Sequence, residues 1–377
     1  MSNFNIKNYL NYLLDYILSF IISLIPILNF NIENYLNSLS EDVTEINISY
    51  KNLTYLPDLS KFKKLKILCC INNNLTSLPQ FNENLQELHC YNNKLTSLPQ
   101  LNENLQELHC YNNKLTSLPP LNKNLEKLYC SSNKLTSLPQ LNENLKVLHC
   151  YNNKLTSLTP LNENLKILHC SSNKLSSLPQ LNENLEILFC IYNKLTSLPQ
   201  LNKKLRILYC ENNKLTSFPQ LNENLEILCC NNNKLSSLPP LNENLEKLYC
   251  DNNKLTSLPP LNENLQELCC TYNELTLLPQ LNEKLKELYC YNNNIPKILI
   301  NDEFICENKR NIINKLSKCR YRIMCLKYKE KFRRWLWIKV RLPKIEQRYH
   351  PDNLKGILDA LGDDCDENEL DEAIENW

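Results

Sequence analysis

The stretch Leu85–Leu95, LQELHCYNNKL, decides the fold, because a version of it returns every 20 residues. As a template it reads L-x-x-L-x-C-x-x-N-x-L, and twelve regular copies begin at every twentieth residue from Leu65 to Leu285. A less regular copy starts at Val43, 22 residues before Leu65, with Lys51 in place of the asparagine. A fixed period of this size predicts a solenoid of thirteen stacked coils.

The template predicts one short strand in each coil. Leu88 and Cys90 are apolar and His89 stands between them, which is the alternation of a strand with one buried face. A coil of 20 residues leaves no room for a crossover helix, and Pro99 bars a helix after the strand. The return segment is therefore expected to be extended or a single 3₁₀ turn, anchored inward by Leu101 and its counterparts.

Asn93 stands where the chain leaves the strand. If it is buried, its amide can serve backbone groups of its own and neighbouring coils, which predicts an asparagine ladder. With the pair Leu98-Pro99, the template resembles the short, 20-residue class of the leucine-rich repeat family over residues 43–300. The resemblance implies a horseshoe-shaped repeat solenoid with a parallel β-sheet on its concave face, an extended or 3₁₀ convex side and helical N- and C-terminal flanks.

Composition narrows the chemistry. The net charge of +1 indicates no class of partner. Twelve of the 19 cysteines occupy one inward position per coil, from Cys70 to Cys290, so they are predicted to be small buried hydrophobes in a reduced, cytoplasmic protein. No catalytic set and no glycine-rich phosphate loop is present, so we predict no enzyme and no cofactor. Four histidines share one column, but no further ligand completes a metal site; they are His89, His109, His149 and His169.

Residues 1–42 precede the repeats. Tyr16–Leu28, YILSFIISLIPIL, is almost wholly apolar and allows three interpretations. It could cap the open end of the first coil, as solenoids require. It could associate with a membrane through residues 10–30, although it is short for a span. It could be a signal peptide, although no small-residue cleavage site follows. The hydrophobic helical cap is the interpretation we favour.

Residues 301–377 follow the repeats, have helical spacing, and are first basic and then acidic. Residues 309–348 hold 15 Lys and Arg against two Glu, whereas residues 352–377 hold 10 Asp and Glu against one Lys. Opposite charges of this size favour a folded helical region that neutralises itself. The alternative is an adaptor whose basic region, 309–348, binds nucleic acid or an anionic membrane.

Residues 335–377 also resemble the C-terminal cassette of uncharacterised leucine-rich repeat proteins of mimivirus-type giant viruses. The resemblance implies a virus protein in the cytoplasm of a host cell, with an uncharacterised role. It rests on Trp335, Trp337, Val340, Pro343, Lys344, Ile345, Tyr349 and Pro351.

The outward strand positions vary between coils, while the scaffold positions barely change. Five successive aliphatic residues, from Val147 to Ile227, occupy one of these columns, with charged residues at both ends. Such a patch with a polar rim is typical of an interface core, although strand preference alone also favours β-branched residues. We predict a non-enzymatic protein–protein interaction scaffold that binds a host protein there, through Val147, Ile167, Ile187, Phe189, Ile191, Ile207, Tyr209 and Ile227.

Overall fold

The computed structural model of the chain describes residues 30–295. One helix, α1 (Ile32–Ser38), precedes thirteen strands of three residues each. The strands are β1 (Glu45–Asn47), β2 (Ile67–Cys69), β3 (Glu87–His89), β4 (Glu107–His109), β5 (Lys127–Tyr129), β6 (Val147–His149), β7 (Ile167–His169), β8 (Ile187–Phe189), β9 (Ile207–Tyr209), β10 (Ile227–Cys229), β11 (Lys247–Tyr249), β12 (Glu267–Cys269) and β13 (Glu287–Tyr289).

The strands form one parallel sheet in which each strand pairs with its neighbours in the chain. Between regular coils each residue pairs with the residue 20 positions later, as Glu87 does with Glu107. Between the first two coils it is 22 residues, and Ile46 pairs with Leu68. Each template position therefore forms a straight column along the sheet. The predicted solenoid of thirteen coils with a parallel sheet is confirmed.

The core is made by the leucine and cysteine columns. Leu88, Cys90 and Leu95 have no exposed surface, and their counterparts in the other regular coils are buried in the same way almost throughout. Leu101 packs beneath them from the return segment, which is extended in the described coils and closed by a turn. In that turn the Leu145 N–H donates to the Asn142 carbonyl at 3.4 Å. The extended return with an inward leucine is therefore confirmed.

The predicted asparagine ladder is present. Asn93 donates through Nδ2 to the carbonyl of Cys90 in its own coil, at 3.1 Å, and to that of Cys70 in the preceding coil, at 2.9 Å. Its Oδ1 accepts from the Leu75 N–H at 3.0 Å. The same set recurs from Asn73 to Asn293, so this one side chain serves backbone groups that the curved backbone leaves unpaired.

A second asparagine column, on the return segments, was not predicted. Asn122 donates through Nδ2 to the carbonyls of Asn102, at 2.6 Å, and Leu105, at 3.0 Å, in the preceding coil. Asn124 donates in the same direction to Glu103, at 2.7 Å. The coils are thus joined by side-chain amides on the convex side, where no continuous strand ladder is available.

A third column holds residues in the left-handed backbone region. Asn92 has a φ of 55°, and the equivalent residue of every regular coil lies between 52° and 55°. Asparagine tolerates this region because its short polar side chain can bond locally. Two coils place serine there, and Tyr192 and Tyr272 occupy it with φ values of 52° and 53°. A bulky residue at positive φ is unfavourable, so these two tyrosines suit the left-handed backbone conformation less well than asparagine does.

Helix α1 packs against the first coils. Its Ile32 and Leu36 are buried in the common core, and Asn31 caps its first turn by accepting from the Asn34 N–H at 2.8 Å. Lys61 donates to the Leu36 carbonyl at 2.9 Å. This helix lies within residues 1–42, the region predicted as a hydrophobic helical cap, and downstream of the Tyr16–Leu28 stretch on which that prediction rested.

Several predictions fall outside the described residues. They are the interpretations of Tyr16–Leu28 and of residues 301–377, and they remain predictions. Within residues 30–295, no helix is both long and apolar enough to cross a bilayer.

Candidate protein-interaction face

Two residues of each strand point away from the core. Because alternate residues face opposite sides of a sheet, Leu88 points inward while Glu87 and His89 point outward and are partly exposed. The residue after the inward cysteine forms a third column beside them. We call the surface made by these three columns the strand face, and it runs from β1 to β13.

One column of the strand face contains the predicted apolar row. Val147, Ile167, Ile187, Ile207 and Ile227 are direct register partners on β6 to β10, and each is partly exposed. Neighbouring strands lie roughly 4.8 Å apart, so the row extends for roughly 19 Å.

Both ends of the apolar row are closed by ion pairs. Lys127 lies 2.5 Å from Glu107 at one end, and Lys247 lies 2.8 Å from Glu267 at the other. The row is therefore an apolar surface with charged residues at both ends. Interface cores have a similar arrangement of an apolar centre and a polar rim.

The second column forms a ladder of aromatic rings from β3 to β9. The centroids of His89 and His109 are 4.3 Å apart, and those of His109 and Tyr129 are 4.4 Å apart. The ladder continues to Phe189 and Tyr209, whose centroids are 5.0 Å apart, through Tyr129–His149, His149–His169 and His169–Phe189 contacts of 4.9, 5.5 and 5.0 Å. Stacked and edge-to-face rings at such distances attract one another, so each ring in this column packs against the rings on the neighbouring strands.

Burial keeps three histidines of the ladder uncharged at neutral pH. Desolvation lowers the pKa of His109, His149 and His169 to about 4 in each case. At His109 the charge of His89 lowers the pKa further, against an opposing effect of Glu107. No positive charge from these three rings therefore interrupts the apolar surface at pH 7.

The third column contains a polar cluster that sequence reasoning missed. Glu211 accepts from Asn231 at 3.4 Å, and Asn231 in turn accepts from the Asp251 N–H at 2.7 Å. Asp251 accepts from both the N–H and the hydroxyl of Thr271 at 2.7 Å. Burial raises the pKa of Glu211 to about 7 and also raises that of Asp251. Only the coincidence of four polar residues in one column could have indicated this cluster.

The cysteine column behaves as a set of buried neutral thiols. All fifteen cysteines among the described residues are free. Burial raises the pKa of Cys130 and Cys170 to about 12. A thiol with so high a pKa is a poor nucleophile and metal ligand. Among residues 30–295 no three His, Cys, Asp or Glu side chains are arranged to hold a metal ion.

The structure brings all eight predicted binding residues onto one part of the strand face. Ile191 lies in the third column on the same coil as Ile187 and Phe189, and Tyr209 stacks on Phe189. None of the eight is fully exposed; each is partly buried by its neighbours. Their role in binding a partner remains a prediction.

Comparisons with known proteins agree with this architecture. The family described as Leucine Rich repeats (2 copies) matches residues 83–123, 103–143, 123–163 and 223–263. A solved leucine-rich repeat protein from Leptospira interrogans is 33% identical; the match covers 70% of this chain and 82% of that one, with a TM-score of 0.58. The chain belongs to the leucine-rich repeat family.

Two other leucine-rich repeat structures are similar over a large part of the chain. YopM from Yersinia enterocolitica is 32% identical with a TM-score of 0.67; the match covers 69% of this chain but only 58% of YopM. The leucine-rich repeat protein FLRT2, solved in a complex with Latrophilin 3 and Unc5D, is 25% identical over 58% of this chain and 79% of its own, with a TM-score of 0.50. No curated protein matches the chain.

Leucine-rich repeat proteins are generally non-enzymatic scaffolds that bind other proteins, and FLRT2 occurs in such an assembly. Membership of the family gives the fold of this chain. The surface used and the identity of the partner are separate questions.

Proposed function

We propose that this chain is a non-enzymatic scaffold that binds a partner protein on the apolar row of its strand face. The observation that carries the proposal is the register: five aliphatic side chains on five neighbouring strands form one row with ion pairs at both ends. Apolar centres with charged rims are typical of protein interfaces.

The aromatic column strengthens the proposal. Phe189 and Tyr209 stack beside Ile187 and Ile207, so a partner that covers the row also covers two large rings. Aromatic side chains often dominate the binding energy of an interface because they present much rigid contact area. The uncharged histidines continue the same surface towards β3 without a desolvation cost for a cation.

The site of action is proposed to be the cytoplasm of a host cell, with a host protein as partner. This proposal rests on the buried, unlinked thiols and on the sequence resemblance of residues 335–377 to proteins of giant viruses.

The test is a pull-down with a double variant, Ile187→Asp with Phe189→Ser. Both side chains are partly exposed, so the solenoid should keep its circular dichroism spectrum while captured proteins are lost. The matched control is Glu287→Asp with Tyr289→Ser, which alters the same two columns on β13, outside the apolar row. If the Ile187 variant captures every protein that the wild type and the control capture from a host-cell lysate, the apolar row is not the binding site.

A further inference from the structure

A column of nine exposed lysines follows the edge of the solenoid just beyond the strand face. The residue after the ladder asparagine is lysine in nine consecutive coils, and every one of these side chains is exposed. The backbone of the column is fixed, because the Lys114 N–H donates to the Leu95 carbonyl at 2.8 Å and the same bond recurs along the solenoid. We call this surface the lysine edge: Lys94, Lys114, Lys134, Lys154, Lys174, Lys194, Lys214, Lys234 and Lys254.

The lysine edge differs from the other charged columns in its constancy of sign. The column directly before the strands contains both signs and forms ion pairs between coils, such as Lys146 with Glu126 at 2.7 Å and Arg206 with Glu226 at 2.7 Å. None of the nine lysines forms an ion pair or a side-chain hydrogen bond with another described residue. With coils roughly 4.8 Å apart, they place like charges along roughly 38 Å.

The fold does not require lysine at this position. Asn74 and Glu274 occupy it in the coils before and after the lysine edge. Both make the same backbone bond, from Asn74 to Leu53 at 2.7 Å and from Glu274 to Leu255 at 2.9 Å. Nine adjacent like charges repel one another, so this column of lysines does not stabilise the scaffold.

The second observation is the pair of tyrosines in the left-handed column. Tyr192 lies two residues before Lys194, whereas Tyr272 lies two residues before Glu274, in the coil that follows Lys254. The two rings are 51% and 56% exposed, and the ring of Tyr272 also contacts that of Tyr291 at a centroid distance of 5.8 Å. Most coils hold asparagine there, which suits the backbone better. One exposed ring thus lies within the row of cations and a second lies one coil past its end, each at a cost to the backbone.

We propose that the lysine edge binds single-stranded nucleic acid, with phosphates along the lysines and bases stacked on Tyr192 and Tyr272. A cationic track combined with exposed aromatic rings is how proteins hold single strands without reading their sequence. A polyanion that lacks bases would have no use for the rings. The proposal concerns a different surface from the apolar row and does not depend on the protein-binding function.

A second copy of the chain is a weaker candidate for the same surface. Nine glutamates of the turn before the strands, from Glu83 to Glu283, form an exposed acidic column that could face the lysine edge of another molecule. Exposed ion pairs contribute little, and association costs several kcal/mol of lost freedom. Without an apolar contact between the two edges, such an assembly has too little to hold it together.

The first test measures binding of a fluorescein-labelled (dT)20 oligonucleotide to the full chain by anisotropy at several salt concentrations. Each lysine–phosphate contact contributes roughly 0.7 to the slope of log K against log salt. The triple variant Lys134→Gln, Lys154→Gln and Lys174→Gln should lower the slope by roughly 2 and the affinity at 0.1 M salt by roughly 100-fold.

The matched control neutralises three exposed lysines away from the lysine edge, Lys66→Gln, Lys123→Gln and Lys203→Gln, which gives the same net charge. It should leave the slope unchanged. Equal slopes for the wild type and both variants would overturn the proposal and assign any binding to residues 309–348. Self-association of the chain alone that the lysine-edge variant abolishes would also overturn it, in favour of a second copy as the occupant.

The second test separates bases from charge by comparing (dT)20 with an abasic 20-mer of the same backbone. Tyr192→Asn with Tyr272→Asn restores the residue common in other coils, so folding should not suffer. This variant should bind (dT)20 at least roughly 30-fold more weakly, with an unchanged salt slope and unchanged abasic binding. Equal affinity of the wild-type chain for both oligonucleotides would overturn the assignment to nucleic acid and leave a general polyanion surface.

Discussion

Two neighbouring columns of the solenoid, one residue apart in the chain, are constrained in opposite ways. The column of Asn93 is asparagine in every regular coil, whereas the column of Asn92 also accepts serine and tyrosine. Asn93 is buried, and its amide bonds to groups in two coils. Asn92 has a positive φ and is half-buried, and its Oδ1 accepts one exposed hydrogen bond, from Asn112 Nδ2 at 2.5 Å.

The difference shows what makes a repeat position invariant in this chain. A column is fixed where one side chain must satisfy several buried backbone groups, since leaving them unpaired is costly. A column varies where the main requirement is a backbone conformation and the side-chain hydrogen bonds are exposed, because several residue types reach that conformation at modest cost. Function can therefore be placed in the second kind of column without weakening the scaffold.

The largest effect is expected from Asn153→Leu. Asn153 donates to the carbonyls of Cys130, Cys150 and Tyr151 at 3.1, 3.1 and 3.3 Å, and it accepts from the Leu135 N–H at 3.0 Å. Leucine would leave these groups unpaired, so unfolding should become easier by about 3 kcal/mol. The urea midpoint of the purified chain measures the change.

The control for this substitution is Asn152→Ser, one residue earlier. Serine already occupies this column at Ser132 and Ser172 with a φ of 54°, so the midpoint should move by less than about 0.5 kcal/mol. Equal losses in the two variants would mean that the two columns are not constrained differently.

The second effect concerns Glu211, in the strand-face column directly before the left-handed one. Burial raises the pKa of Glu211 from 4.5 to about 7, so the folded chain holds its proton more tightly than the unfolded chain. The resulting stability is fully present below pH 4.5 and is lost as pH rises through about 7. The loss is on the order of 3 kcal/mol for a shift of this size.

Glu211→Gln should remove most of this dependence, because the amide keeps the shape and carries no charge. Urea midpoints of the two proteins, measured from pH 5 to pH 8, would then converge at low pH and diverge at high pH. Parallel profiles over that range would contradict the burial of this carboxyl.

The smallest effect is expected from Tyr192→Asn. Replacing a bulky residue at a φ of 52° by one that tolerates this region should stabilise the chain by about 0.5–1 kcal/mol. A small rise in the thermal midpoint in calorimetry would show it. A fall instead would mean that the exposed ring makes contacts that stabilise the fold, and the contrast between the two columns would weaken.

The scaffold could be predicted from the sequence because a strict 20-residue period determines the strand register, the buried positions and the asparagine ladder at once. Leu88, Cys90 and Asn93 have the same neighbours in every coil, so one coil describes twelve. The alignment of Val147 to Ile227 in one row also follows from the period alone, since a constant register turns spacing into position.

Other features could not be predicted because composition concealed them. Asparagine is so frequent in this chain that the second ladder, at Asn122 and its counterparts, did not stand out. The lysine edge was hidden in a net charge of +1, since an acidic column on the turns balances it. The lowered pKa of His149 and the raised pKa of Glu211 depend on burial by neighbouring coils, which no sequence pattern measures.

The reactivity of the cysteine column can report how often each coil of this solenoid opens. One thiol lies at the centre of each regular coil, and the buried ones react with an alkylating reagent only when their coil opens. Because each coil contacts only its neighbours, opening can differ from one coil to the next. Brief exposure to a thiol reagent, followed by peptide mapping, would therefore read out local stability coil by coil without any introduced label.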